Sequence, residues 1–122
     1  MSKRVFISFA VEDRLYRDGL VHQARDERSP FVFTDMSVKQ PWNSAWKTNC
    51  RIKIKGCDAM IIMVSRNTLA AEGALWEIKC AKEEGIPSLG IHIFKDSKVQ
   101  IPGLRTVEWK WSNISNFINS LA

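Results

Sequence analysis

Apolar positions along the chain fall into short, dense runs separated by longer stretches with helical spacing. Arg4 to Phe9 (RVFISF), Phe31 to Thr34 (FVFT), Ala59 to Val64 (AMIIMV) and Ser88 to Phe94 (SLGIHIF) are rich in β-branched and aromatic residues and are of strand length. Thr106 to Trp109 is a fifth candidate strand. Between the strands lie Val11 to Glu27, with apolar Leu15, Leu20 and Val21, then Trp42 to Lys55 ahead of Gly56, and Ala70 to Glu84 ahead of Gly85 and Pro87. Glycine just past the last periodic residue, with proline shortly after, is how helices stop, so these stretches are predicted helices. A last helix is expected from Ser112 to Leu121, and Lys95 to Gly103 reads as a loop.

Three of the strands are nearly continuous apolar runs rather than alternating ones. Continuous runs fit strands covered on both faces, as in a parallel sheet between two helical layers. Strand and helix alternate from end to end, and 122 residues suit one domain, 1–122. The expected architecture is a flavodoxin-like α/β three-layer sandwich with parallel strand order 2-1-3-4-5. In such sheets ligands sit outside the carboxyl ends of the strands, near the switch point of the winding. Here those ends are Ser8-Phe9-Ala10, Thr34-Asp35, Val64-Ser65 and Phe94-Lys95.

Composition narrows the picture. With 45% hydrophobic and 25% charged residues the chain has enough apolar surface to fold, which excludes a disordered class. The apolar stretch Val5 to Phe9 is too short for a signal-peptide core, and no other stretch approaches membrane length, so a soluble, cytoplasmic protein with no membrane partner is expected. Cys50, Cys57 and Cys80 show no metal-type or redox-type spacing and read as reduced thiols packed like small hydrophobes. His22 and His92 are far apart in sequence and lack Cys or Glu at ligand spacing, so no metal site is expected. The net charge of +5 is concentrated in Lys47, Arg51, Lys53 and Lys55, on one predicted helix. A solvated helix face accounts for it first, a phosphate-bearing small molecule second and nucleic acid third. No zinc-finger spacing, RNP-type motif or basic arm is present, so a nucleic-acid partner is not expected.

The usual occupants of the fold can be tested one by one. The loop after the first strand, Ala10-Val11-Glu12-Asp13, has no glycine to cradle an FMN phosphate. Glu12 and Asp13 resemble the acidic pair of a receiver domain, but the third strand ends in Val64-Ser65 with no phosphoacceptor aspartate. Neither a Gly-x-Gly-x-x-Gly fingerprint nor a P-loop occurs.

Four segments, in order from residue 4 to 94, carry a likeness. Val5-Phe6-Ile7-Ser8-Phe9 resembles the first strand of TIR domains, and Phe33-Thr34-Asp35-Met36-Ser37 resembles their Asp-x-Ser after the second. Ile61-Ile62-Met63-Val64-Ser65-Arg66-Asn67-Thr68 is similar to the third strand and its trailing hydroxyls. Trp76-Glu77-Ile78-Lys79-Cys80-Ala81, ahead of Glu84-Gly85-Ile86-Pro87, resembles the helix carrying the TIR glutamate. The chain thus resembles the TIR family, most closely the bacterial and archaeal TIR-like proteins of the Thoeris antiphage type. That resemblance implies cleavage of NAD, taken as substrate with no further cofactor, and release of nicotinamide. It also implies that the ADP-ribose part becomes a cyclic or modified nucleotide signal, read by a downstream nucleotide-sensing effector protein.

The resemblance makes Glu77 the catalytic candidate. It implies substrate contacts from Phe9, Ala10, Asp35, Ser37, Trp46, Ser65 and Trp76. One carboxylate suffices chemically, because nicotinamide leaves a cationic pyridinium as a neutral base and needs no general acid, unlike the leaving group of an ordinary glycoside. By helical periodicity Ala71, Ala74, Leu75, Ile78 and Ala81 form the buried stripe, with Glu77 at its border reaching over Gly73 and Trp76 facing outward. Outward Trp76, with no obvious lid, suggests self-association that completes the site. Two positions depart from the TIR pattern: Gly73 stands where a tryptophan is common and Ala71 where a serine is. They favour an alternative, a catalytically silent scaffold acting by self-assembly. A nucleoside deoxyribosyltransferase-like enzyme is a third reading, since it shares the fold type and a carboxylate at the anomeric carbon.

Overall fold

The computed structural model describes residues 3–28, 32–34, 44–96 and 98–121. In its sheet β1 (Arg4–Ser8) lies between β2 (Val32–Thr34) and the central strand, β3 (Ala59–Val64). Next to β3 come β4 (Ser88–His92) and then β5 (Thr106–Glu108), so the order is β2-β1-β3-β4-β5 and every pairing is parallel. This is the expected flavodoxin-like arrangement, with the switch point between β1 and β3.

β1 and β3 each feed two cores. Val5, Ile7 and Phe9, with Ile61, Met63, Leu89 and Ile91, pack against α1 (Arg14–Asp26) and α5 (Trp111–Asn119) through Leu20, Ala24, Ile114 and Ile118. Phe6, Met60, Ile62 and Val64 point the other way. They meet Trp46, Cys50 and Ile54 of α2 (Ser44–Lys55) and Cys80 and Ala81 of α4 (Glu72–Glu83). β3 is buried at all six positions, which is why it reads as an unbroken apolar run. No helix among the described residues is long and apolar enough to cross a membrane.

Two local features differ from the sequence expectation. The stretch from Val11 begins with a 3₁₀ turn, Val11–Asp13, before α1. The helix expected from Ala70 to Glu84 is two helices, a short α3 (Arg66–Ala70) and α4, broken at Ala71, whose ψ of 95° is extended. Ser65 starts α3: its Oγ accepts from the Asn67 N–H at 3.1 Å, and its own N–H donates to Thr68 Oγ1 at 3.0 Å. α4 ends as predicted. Gly85 takes φ of +70°, Ile86 N–H donates to the Ala81 carbonyl at 2.8 Å, and Gly85 N–H donates to that of Lys82 at 3.2 Å.

Candidate functional site

Glu77 is not at a border. The buried face of α4 is Gly73, Ala74, Glu77, Cys80 and Ala81, with Glu77 in its middle and closed to solvent, 0% exposed. Leu75 is exposed, and Leu75 and Ile78 both line a groove of about 450 Å³ with Ile101 and Leu104. The reason is size: α4 approaches the sheet through its smallest residues, which turns the larger apolar ones aside. Ala71, expected in the stripe, is half-buried.

Three elements converge on the Glu77 carboxylate. Ser8, the last residue of β1, donates through Oγ to Oε1 at 2.9 Å, with the Ala74 carbonyl 3.5 Å from the same hydroxyl. From α2, the Cys50 thiol donates to Oε2 at 3.4 Å. Ser8 and Cys50 are both fully buried. A buried carboxyl group is expensive to keep unless neighbours hydrogen-bond it, and here a hydroxyl and a thiol donate to it.

α2 is fastened over this point. Trp46 is buried, and its ring centre lies 5.4 Å from that of Trp76, tilted by 55°. Trp76 is therefore half-buried against α2, which corrects the expectation that it faces outward. Arg51 caps the stack, its guanidinium 5.5 Å from the Trp76 ring centre, and forks to Glu84 at 2.6 Å and Glu83 at 2.9 Å. Those hydrogen bonds, Glu83 first, raise the Arg51 pKa, and Arg51 in turn lowers that of Glu83. The indole Nε1 of Trp46 is buried with no hydrogen-bond partner among the described residues.

The other expected residues divide. Phe9 and Ala10 are buried at the end of β1, Phe9 in the α1 core with the Arg17 guanidinium 5.1 Å from its ring centre. Ser65 is buried, and besides capping α3 its Oγ donates to Asp13 Oδ2 at 2.6 Å. Asn67 Nδ2 donates to Asp13 Oδ1 at 2.9 Å, so Asp13 ties the 3₁₀ turn to the β3–α3 loop and makes no side-chain cap at the start of α1. Asp35 and Ser37 lie outside the described residues. Ser8 and Cys50 were missed as partners of Glu77, since nothing in their spacing brings residues 8, 50 and 77 together.

All three cysteines are free and buried. Burial pushes the Cys57 thiol up to about 11 and raises that of Cys80, so both stay protonated. Among the described residues no cluster of three or more His, Cys, Asp or Glu fits a metal ion.

An all-parallel 2-1-3-4-5 sheet between helical layers, with Glu77 on α4 bonded to the end of β1, defines a TIR-like α/β domain. Residues 6–98 match the family model of the TIR-like domain of the Thoeris protein ThsB, and the chain belongs to that family. Membership supports a role in antiphage defence. Comparison with curated proteins gave no match.

Proposed function

We propose that the protein cleaves the nicotinamide–ribose bond of NAD, with Glu77 stabilising the cationic ribose as the pyridinium departs, and makes a cyclic or modified ADP-ribose signal for a downstream effector. The observation that supports this reading most is the cost of the site itself. A helix packed against a sheet gains nothing from a buried carboxylate that an apolar residue would not supply better, so a glutamate held there by a hydroxyl and a thiol points to chemistry. Its place beside the end of β1 is where folds of this type hold ligands.

Glu77 is closed to solvent as it stands, so the reactive state requires its cover to open. In that state Trp46 and Trp76 offer aromatic faces to the nicotinamide or adenine ring, and Asp35 and Ser37 serve the ribose. Ala10 and Ser65, just past the ends of β1 and β3, shape the walls, while Phe9, expected there, stays in the α1 core on the other side of the sheet. Self-association assists: Val11 in the 3₁₀ turn and Leu15 in the first turn of α1 are 51% and 81% exposed, and Tyr16 meets Phe94 edge-on at 5.2 Å. This apolar surface takes a second copy of the chain.

The closed state of Glu77, with Gly73 and Ala71 in place of larger TIR residues, favours the silent scaffold as the second reading. Nicotinamide release from NAD by the pure protein, compared with Glu77→Gln, separates the two.

A further inference from the structure

A cavity of about 470 Å³ opens beside the carboxyl ends of β4 and β5, against α1. Its volume is in the range of small-molecule sites. Ser8, Cys50 and Glu77 do not line it, so it is separate from the carboxylate described above. The fold assembles it from residues distant in sequence: Gln23 on α1, His92 at the end of β4, Lys95 and Lys98 beyond it, and Glu108 and Trp109 at the end of β5.

His92 is the telling residue. It is only 6% exposed, and its Nδ1 is buried with no hydrogen-bond partner among the described residues. A buried polar atom left unsatisfied costs about 1–3 kcal/mol, and such a cost persists where a ligand meets it. Burial, with Lys98 alongside, lowers the His92 pKa, against an opposing pull from Glu108. The ring is therefore neutral near pH 7 and offers one N–H and one lone pair.

The charges sort themselves. Glu108, paired with His92 in the β4–β5 register, is engaged by Lys110 Nζ at 3.3 Å. Asp26 faces His22 Nε2 at 3.5 Å on the α1 side, and Glu27 ends that helix. Lys95 and Lys98 have no ion pair among the described residues. Trp109 is pinned by its Nε1, which donates to Gln23 Oε1 at 2.8 Å, leaving a fixed aromatic wall.

We propose that this cavity is a second binding site, for a small phosphomonoester. The phosphate dianion lies between Lys95 and Lys98 with one oxygen at His92, and the attached sugar or ring lies against Trp109. The chain has two histidines, and His22 also lines the cavity, so proton NMR reads the site directly, with His22→Asn assigning the signals. On titration with AMP, the His92 ring signals should move saturably and His92 should titrate at higher pH, because the dianion opposes Lys98. Lys98→Gln should weaken the response several-fold, and adenosine and NAD, which carry no monoester, should leave His92 in place. If inorganic phosphate moves His92 as strongly as AMP, the role given to Trp109 is overturned. If millimolar AMP leaves His92 unmoved, or NAD moves it equally, the site itself is overturned.

Discussion

The Cys50 thiol on α2 donates to Glu77 Oε2 on α4 at 3.4 Å, and the next residue, Arg51, binds the same helix from outside through Glu83 and Glu84. Adjacent residues thus fasten α2 to α4, one in the core and one at the surface. Cys50 is therefore a reporter of whether Glu77 is covered. Arg51→Ala should speed alkylation of Cys50, followed by peptide mass spectrometry, by roughly two- to five-fold, the modest effect of losing a largely exposed ion pair. Cys57, which lies away from this latch, should react at its original rate. Unchanged labelling of Cys50 in the variant would show that Arg51 does not hold the cover.

Self-association should depend on the start of α1. Leu15 is 81% exposed, so Leu15→Glu leaves the core untouched. We expect wild-type specific activity to rise with protein concentration and that of Leu15→Glu to stay flat, with a smaller mass by light scattering. Identical masses and concentration profiles for the two proteins would place the contact elsewhere.

A stability prediction comes from Gly90, in the middle of β4. A Cβ added there would lie 2.8 Å from Thr106 Cγ2 and 3.0 Å from both Leu104 Cδ2 and Val64 Cγ2. Gly90→Ala should therefore destabilise by about 1–3 kcal/mol, a fall of roughly 4–12 °C in Tm by calorimetry. Gly56→Ala is the comparison, since its nearest neighbour would be an ordinary 3.5 Å away. Equal melting of both variants would mean that β4 and β5 separate easily.

How much of this was legible beforehand depended on whether the signal was local. That the sheet is parallel and covered on both faces followed from apolar runs such as Ala59–Val64, while its order followed from the expected switch point between the first and third strands. The end of α4 followed from Gly85 and Pro87. The break at Ala71 was missed although Ser65 and Thr68, three apart, carry a capping pattern. The orientation of Glu77 was missed because periodicity follows large side chains such as Leu75 and Ile78. Close packing through Gly73, Ala74 and Ala81 set the buried face instead. Ser8, Cys50 and the His92 cavity depend on contacts between distant segments, which no spacing encodes. Asp35 and Ser37 lie outside the described residues.

The central claim is that Glu77 is the carboxylate that breaks the nicotinamide–ribose bond. Glu77→Gln should fold, because an amide fills the same space, keeps one oxygen to accept from Ser8 and turns its NH2 toward the Cys50 sulfur, so its Tm should stay within a few degrees of wild type. Glu72→Gln, exposed in the first turn of the same helix, is the control. Nicotinamide release from NAD, measured by chromatography under the conditions that activate the wild type, should fall roughly two to three orders of magnitude in Glu77→Gln, the usual loss for one preorganised electrostatic contact, and stay near wild type in Glu72→Gln. Release by Glu77→Gln at the wild-type rate would contradict the account.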